Sequence, residues 1–369
     1  MQSSRLLLAV GVISSLAGPP SPCPFAGTCQ RLNAVDGLSA FQTGHRDPPT
    51  AVFTSFGLTP DQMASVDAGK PVARVLSWGT PSEVYVFGAV HVDGSPDTYV
   101  NAARDIARLR GAEGYSGIGE LKDNASVADL SALSLDPDDV KALKNCREGS
   151  CDVQLPTASI QAFRDGVNWS RPDTVEQANA LARPMVLRLV RAYRDGGNDA
   201  LGEYRDKQNP ALIGEQFRTM VGRASALPDV LPELRQYLLD YPKAELADAD
   251  SFFYWEKVSF GMKPTIRVNH GVIYRRRTGE REVAVVALKQ LYASHYFHTA
   301  LDMSVCVDDR AAGATRGFYL LTLKGSQQEG LTGVKGSMLR KIVVDKTRGS
   351  LESALASIKR SVEQASRQH

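Results

Sequence analysis

Five consecutive β-strand patterns in the C-terminal part of the chain constrain its fold more than any other feature. Short segments rich in turn-forming residues separate them, for example residues 261–264 and 277–280. Because a parallel crossover requires about a dozen residues or more, connections this short predict antiparallel hairpins. The five patterns cover residues 252–260, 265–275, 282–293, 296–307 and 317–327.

Further elements of the same kind occur at both ends of the chain. Residues 72–78, 83–92 and 115–121 are predicted strands. Between the last two, Ser95 precedes Pro96 and begins a predicted helix that ends near Leu109. The chain closes with a predicted amphipathic helix over residues 337–364, with an apolar stripe at Leu351, Leu355, Ile358 and Val362.

A long stretch between these β-rich parts has helical periodicity instead. Residues 126–250 contain helix starts at Asp136-Pro137 and Asp173, and a stop at Gly196-Gly197. We therefore predict an all-α insertion over 126–250. It interrupts a discontinuous domain formed by residues 59–125 and 251–365.

The N-terminus has the pattern of an export signal. Arg5 precedes an apolar run that ends near Leu16, and Ser15-Leu16-Ala17 has the small-x-small form of a cleavage site. Residues 1–17 are a predicted signal peptide. Residues 18–58, rich in Pro, Gly, Ser and Thr at their start, are a predicted linker or poorly ordered lead-in. The mature protein is then secreted or periplasmic.

The cysteines agree with an oxidising compartment. Cys146 and Cys151 close a short loop that contains Gly149, which predicts a disulfide. Cys23 and Cys29 have the spacing for a second one. Cys306 lies in an apolar strand pattern and is expected to be a small buried side chain.

Charge excludes one class of partner and suggests another. The chain has 43 Lys and Arg against 41 Asp and Glu, so no strong positive field is available for nucleic acid. Residues 334–369 are locally basic, with eight Lys and Arg against three Asp and Glu. Peripheral contact of the C-terminal helix with an anionic membrane is an alternative to a simply solvated helix face.

The order of elements resembles the START-like, or helix-grip (SRPBCC), superfamily. The resemblance covers roughly residues 82–123 and 251–365 and rests on the order strand, helix, strand, five strands, helix. It implies an α+β fold in which a curved antiparallel sheet of about seven strands grips a long C-terminal helix and leaves a mostly apolar cavity between them. The chain as a whole, including residues 146–155 and 289–297, also resembles a group of exported bacterial proteins without an assigned function.

Polar and aromatic residues on these strands are the candidate ligand-binding residues. The register is open, because a shift by one residue exchanges the two faces of a strand. The cluster at 289–298 offers hydrogen bonds and a candidate general base, His295, although a packed strand junction is the simpler interpretation. The candidates are Tyr254, Trp255, Arg267, His270, Lys289, Gln290, Tyr292 and His295.

The sequence favours a binding protein over an enzyme. It contains no Walker A loop, dinucleotide fingerprint or His-Glu-x-x-His motif, so we predict neither a cofactor nor a metal. Our preferred hypothesis is an exported protein that binds or carries a hydrophobic or amphipathic small molecule between the sheet and the C-terminal helix. The alternatives are a cyclase- or dehydratase-type enzyme that uses His295, Tyr292 or Lys289, and a protein-interaction module built on the helical insertion.

Overall fold

A computed structural model describes residues 48–110, 112, 114–223, 231–259, 262–278, 281–309 and 317–367. The predicted signal peptide, Cys23, Cys29 and most of the predicted linker lie outside the described residues.

An open antiparallel sheet of eight strands forms the centre of the fold. Its strand order is β1-β2-β10-β9-β8-β7-β6-β3, so β2 lies between β1 and the last strand, β10. The sheet and the hairpins from β6 to β10 confirm the antiparallel prediction. The strands are β1 (Val72–Leu76), β2 (Glu83–Asp93), β3 (Tyr115–Glu120), β6 (Asp250–Val258), β7 (Thr265–Thr278), β8 (Arg281–Ala293), β9 (Phe297–Asp308) and β10 (Gly317–Gln328).

Nine α-helices within the described residues surround this sheet, and the last is the longest. The mixed α+β class and the long C-terminal helix agree with the sequence prediction. The helices are α1 (Pro48–Ser55), α2 (Pro60–Asp67), α3 (Pro96–Arg104), α4 (Pro137–Leu143), α5 (Thr157–Gly166), α6 (Thr174–Gly196), α7 (Ile213–Arg223), α8 (Pro232–Asp240) and α9 (Gly333–Ser366).

Both faces of the sheet are buried. We call one the α9 face, because its side chains, such as Tyr254 and Leu320, pack against α9 and α3. We call the other the α6 face, because Trp255 and Leu291 pack against α6 and its neighbours. Helices α1, α2, α7 and α8 cover the rest of the α6 face, over β2, β9 and β10.

The predicted all-α insertion contains two short strands. Tyr204 and Ala211 pair where β4 (Glu203–Tyr204) meets β5 (Ala211–Leu212). Gly202, with φ of +66°, precedes this reversal. Strands of two residues are too short to produce a strand pattern in the sequence. The prediction therefore placed these residues in the all-α insertion.

Residues 48–58 correct the predicted linker. They form α1 and a turn, and Val52, Phe53 and Phe56 are buried against the sheet. The Phe56 ring stacks on that of Phe87, with 4.0 Å between the centroids. Helix α1 is only eight residues long and begins with prolines, so its apolar pattern was too short to predict a helix from the sequence.

The loop at Cys146 and Cys151 is closed by a disulfide, as predicted, and Cys306 is a buried free thiol. The loop packs against the chain after β4, because the Cys151 amide donates to the Asp206 carbonyl at 2.9 Å. The bond is compatible with an oxidising compartment. Within the described part of the chain, every helix is too short or too polar to cross a bilayer.

We predict that Gly88→Ala destabilises the protein by about 1–3 kcal/mol, since the added methyl group meets Leu351 and Leu355 of α9 at 2.8 Å. Gly349→Ala in α9 is the control. Its methyl group meets nothing within 4 Å, and helix propensity favours it by about 1 kcal/mol. Urea unfolding of both variants measures the difference. Equal stability of the two variants would contradict the observed packing of α9 on β2.

Candidate functional site

Cavities occur on both faces of the sheet. One of them has a volume of about 370 Å³ and lies on the α6 face. Two smaller ones, of about 80 and 100 Å³, lie between the sheet and α9. They share Arg267, Asp302 and Lys324 as lining residues, so they adjoin each other.

The α6-face cavity has a mainly apolar wall. Helices α5 and α6 supply Phe163 and Ala182, the segment before α5 supplies Leu155, and the strands supply Ile266 and Leu291. These residues lie on the buried stripes of amphipathic helices and on alternate positions of the strands. The cavity is therefore the space that the helical segment leaves uncovered when it packs on the sheet.

Two tyrosines, Tyr204 and Tyr292, are among the few polar residues that line this cavity. The Tyr292 hydroxyl donates to the Gln154 carbonyl at 3.0 Å, and the Tyr204 hydroxyl accepts from the Ala293 amide at 3.2 Å. Burial raises the pKa of both phenols above the usual range, so both are neutral. The charged residues of the lining are Arg188, whose side chain is exposed, and the half-buried Glu203, which accepts from Arg205 at 2.7 Å.

The α9-face cavities differ because their walls carry two ion pairs. Arg267 Nη1 lies 3.2 Å from Glu256 Oε1, and both side chains are nearly buried. Lys324 donates to Asp302 at 2.5 Å. Asn269 also donates to Glu256, at 3.2 Å, so one ion pair joins β6 to β7 and the other joins β9 to β10, with β8 between them.

The Tyr115 hydroxyl belongs to a residue that lines one of these cavities, and it is buried without a hydrogen-bond partner among the described residues. Burial raises its pKa, and the nearby Glu256 carboxylate raises it further. Burial also raises the pKa of the Glu256 carboxyl, against the opposing attraction of Arg267. The α9 face thus combines a carboxyl group that is costly to ionise with an available phenol donor.

A separate polar cluster lies on the α6 face without lining a cavity described above. Lys289 is fully buried, and its amino group donates to the Tyr193 hydroxyl at 3.0 Å and to Asn198. The Tyr193 hydroxyl also lies 3.3 Å from His270 Nδ1, and His270 Nε2 lies 2.8 Å from Ser251 Oγ. Burial lowers the pKa of Lys289 and of His270 well below their usual values. The cluster joins α6 to strands β6, β7 and β8.

The structure divides the eight predicted site residues between different places. Tyr254, Arg267 and Gln290 are on the α9 face, where Gln290 accepts from Arg267 Nε at 3.1 Å. Only one of the other five, Tyr292, lines the α6-face cavity. The α6 face carries Trp255, His270, Lys289 and Tyr292, and the β8–β9 turn carries His295.

His295 has a buried partner of its own. Its Nε2 atom lies 2.9 Å from Asp139 Oδ2, on α4, and Lys263 Nζ lies 3.3 Å from the other oxygen of that carboxylate. This cluster links the turn to the helical segment. His295 is not among the residues that line the three cavities.

Sequence reasoning missed the charged residues of the α9 face. Glu256, Asp302 and Lys324 read as ordinary strand charges, and only the register shows that they share one face with Arg267. The sequence contains one signal for Glu256. This residue follows four aromatic residues in a strand pattern, and such a pattern indicates burial rather than an exposed charge.

No protein-family model matches this chain, and no curated protein is detectably similar to it. Within the described residues, no group of three or more His, Cys, Asp or Glu side chains has the arrangement of a metal site.

We predict that Lys289 makes stability rise with pH. Between its lowered folded-state pKa and the ordinary value of 10.5, Lys289 is protonated only in the unfolded chain, so unfolding takes up a proton. The free energy of unfolding should therefore increase with pH, by up to about 1.4 kcal/mol per pH unit, until the pH approaches the unfolded-state pKa of 10.5. Lys289→Met should remove this slope.

Denaturant unfolding at several pH values measures it. Lys335→Met, at an exposed lysine of α9, controls for the loss of a lysine as such. The same slope in wild type and Lys289→Met would show that the lysine is charged in the folded protein.

Proposed function

We propose that this protein binds or carries a hydrophobic or amphipathic small molecule in the α6-face cavity. The observation that supports this most is the cavity itself, at about 370 Å³ with a wall of mainly apolar side chains. Small-molecule sites typically have volumes of about 300–1,000 Å³ and mostly apolar walls with few polar groups. A ligand with an apolar chain of modest length is therefore the kind of molecule that fits such a cavity best.

This proposal moves the ligand away from α9. An apolar molecule in the α9-face cavities would have to lie against the Glu256–Arg267 and Asp302–Lys324 pairs, and would remove the remaining water from both. Desolvating ion pairs without new hydrogen bonds is unfavourable. The two cavities are also small, at about 80 and 100 Å³.

The charge at the cavity edge supports one orientation of the ligand. Arg188 lies on α6 with an exposed side chain, whereas Ala182, nearly two turns earlier, is buried. We infer that the apolar part of the ligand lies near Ala182 and that an anionic head group, such as a carboxylate, lies near Arg188. The Tyr204 hydroxyl is the neutral donor available in this cavity, because the Tyr292 hydroxyl already donates to the Gln154 carbonyl.

We also propose a START-like relationship and export of the mature protein. The order of β2, α3, β3, the five strands β6–β10 and α9 supports the first. The disulfide between Cys146 and Cys151 supports an oxidising destination, secreted or periplasmic.

A second candidate function is acid–base catalysis on a small polar substrate in the α9-face cavities. The unpartnered Tyr115 hydroxyl near the buried Glu256 carboxyl supports it. These residues replace His295 and Lys289 as the groups we propose for proton transfer. An interaction module on the helical segment has less support, because the exposed large apolar side chains described there, Val127, Val175 and Leu212, lie on three different elements.

We predict that Ala182→Phe fills the α6-face cavity and abolishes ligand binding. The variant should cost about 1–3 kcal/mol of stability, since it adds a ring to a packed region. Ala354→Phe, which fills the α9-face cavity, is the matched control and should retain the ligand. Native mass spectrometry and solvent extraction of the purified proteins measure the bound molecule.

The two variants also discriminate between the faces. Loss of ligand from Ala354→Phe alone would assign the ligand to the α9 face and contradict the proposal. The absence of any ligand from the wild type, before and after incubation with long-chain fatty acids, would also contradict it. Circular dichroism establishes that each variant is folded.

For the second candidate function, we predict that small polar carbonyl compounds raise the melting temperature of the wild type but not of Tyr115→Phe. That variant removes only the unpartnered hydroxyl group. Equal shifts in both proteins, or none in either, would count against a substrate at this cavity.

A further inference from the structure

The first three turns of α9 carry an apolar stripe that the rest of the protein leaves uncovered. Val334, Met338 and Ile342 follow each other at intervals of four residues and therefore form one line along the helix. Their exposed fractions are 93%, 73% and 45%, and the neighbouring Leu339 is 41% exposed. Four of the eight exposed large apolar side chains that the structure describes are thus in nine consecutive residues.

The packing of α9 explains why this stripe faces outwards. The second half of the helix is anchored, because Leu351, Leu355 and Ile358 are buried against the sheet. In the first half only Gly336 is buried, on the opposite side of the helix from Met338. The helix therefore lies over the sheet with one side and presents the stripe to solvent.

Basic side chains flank the stripe on both sides. At 100° per residue, Lys335 and Lys346 lie along one edge, and Lys341 and Arg348 lie along the other. Asp345 is the single acidic residue between positions 333 and 351, and it lies 3.9 Å from Arg348. A helix with an apolar line between two rows of cations matches the surface of an anionic bilayer, where the apolar side chains enter and the cations meet phosphates.

The same charges argue against a second copy of the chain as the occupant. Two stripes packed against each other would bring their rows of lysines together, and like charges at such a contact are unfavourable. The stripe is also only three turns long, which gives a small apolar contact for a stable dimer.

We propose that α9 docks this protein on anionic phospholipid membranes through Val334, Met338 and Ile342, with the flanking lysines and Arg348 bound to lipid phosphates. In this arrangement α9 lies along the membrane surface. This inference is independent of the ligand cavity on the other face of the sheet.

Vesicle sedimentation with the full chain tests the proposal. Phosphatidylcholine vesicles with about 30 mole per cent phosphatidylglycerol should bind the wild type, pure phosphatidylcholine vesicles should bind it much less, and raised salt should weaken binding. The double variant Met338→Asp, Ile342→Asp should bind about a hundredfold less tightly, since it removes two inserted apolar groups. Lys335→Ser with Lys341→Ser should lose about fivefold per charge.

Val175→Asp is the control for an added aspartate, because it places one negative charge at an exposed apolar residue of α6, where the α9 double variant places two. It should bind like the wild type. Three results would overturn the proposal: no binding to anionic vesicles, equal loss in the Val175→Asp control, or binding that the stripe variants leave unchanged. The last would assign binding to another segment, such as the apolar N-terminal residues.

A concentration-dependent dimer that Met338→Asp, Ile342→Asp dissociates, without vesicle binding by the wild type, would also overturn it. The stripe would then be an interface between copies. Circular dichroism and the unfolding midpoint verify that the variants retain the fold.

Discussion

The fold depends on a sheet that is apolar on both faces and must therefore be covered twice. In β6, Tyr254 packs towards α9 while the adjacent Trp255 packs towards the helical segment, and both are buried. Helix α9, together with the shorter α3, covers the α9 face. Helices from the N-terminus and from residues 126–250 together cover the other. Each cavity is a place where the helices do not cover the sheet completely. The positions of the candidate sites therefore follow from how the helices pack on the sheet.

The two faces of the sheet compensate in different ways for the unfavourable burial of polar groups. On the α9 face, charges from neighbouring strands pair with each other, as Arg267 does with Glu256. On the α6 face, Lys289 is buried against the rings of Tyr193 and Phe217 and donates to neutral oxygens. The first arrangement leaves a small polar space, and the second leaves none. The α6-face cavity contains neither of these polar groups of residues and lies between apolar helix faces and the strands. That separation is why an apolar ligand is better supported on the α6 face.

Much of the architecture was predictable because it depends on local patterns. The strands from β6 to β10 and their antiparallel pairing follow from alternating residues and short turns, and α9 follows from its apolar stripe. The disulfide follows from the short loop between Cys146 and Cys151. The candidate site was less predictable, because it depends on which residues of separate strands share a face. Arg267 and His270 are three residues apart and lie on opposite faces, and the bulge that pairs Asn269 with Gln290 shifts the register again. The α6-face cavity arises from helix packing, which no pattern in a single segment encodes.

The proposed function depends on an apolar ligand that occupies the α6 face of the sheet. A crystal structure tests this, with the protein soaked or co-purified with a fatty acid that carries a terminal bromine and with data collected at the bromine absorption edge. We expect an anomalous peak between Leu155, Ala182 and Leu291, with the carboxylate towards Arg188. A peak between α9 and the sheet, or a cavity without a peak when the acid is present in excess, would contradict it.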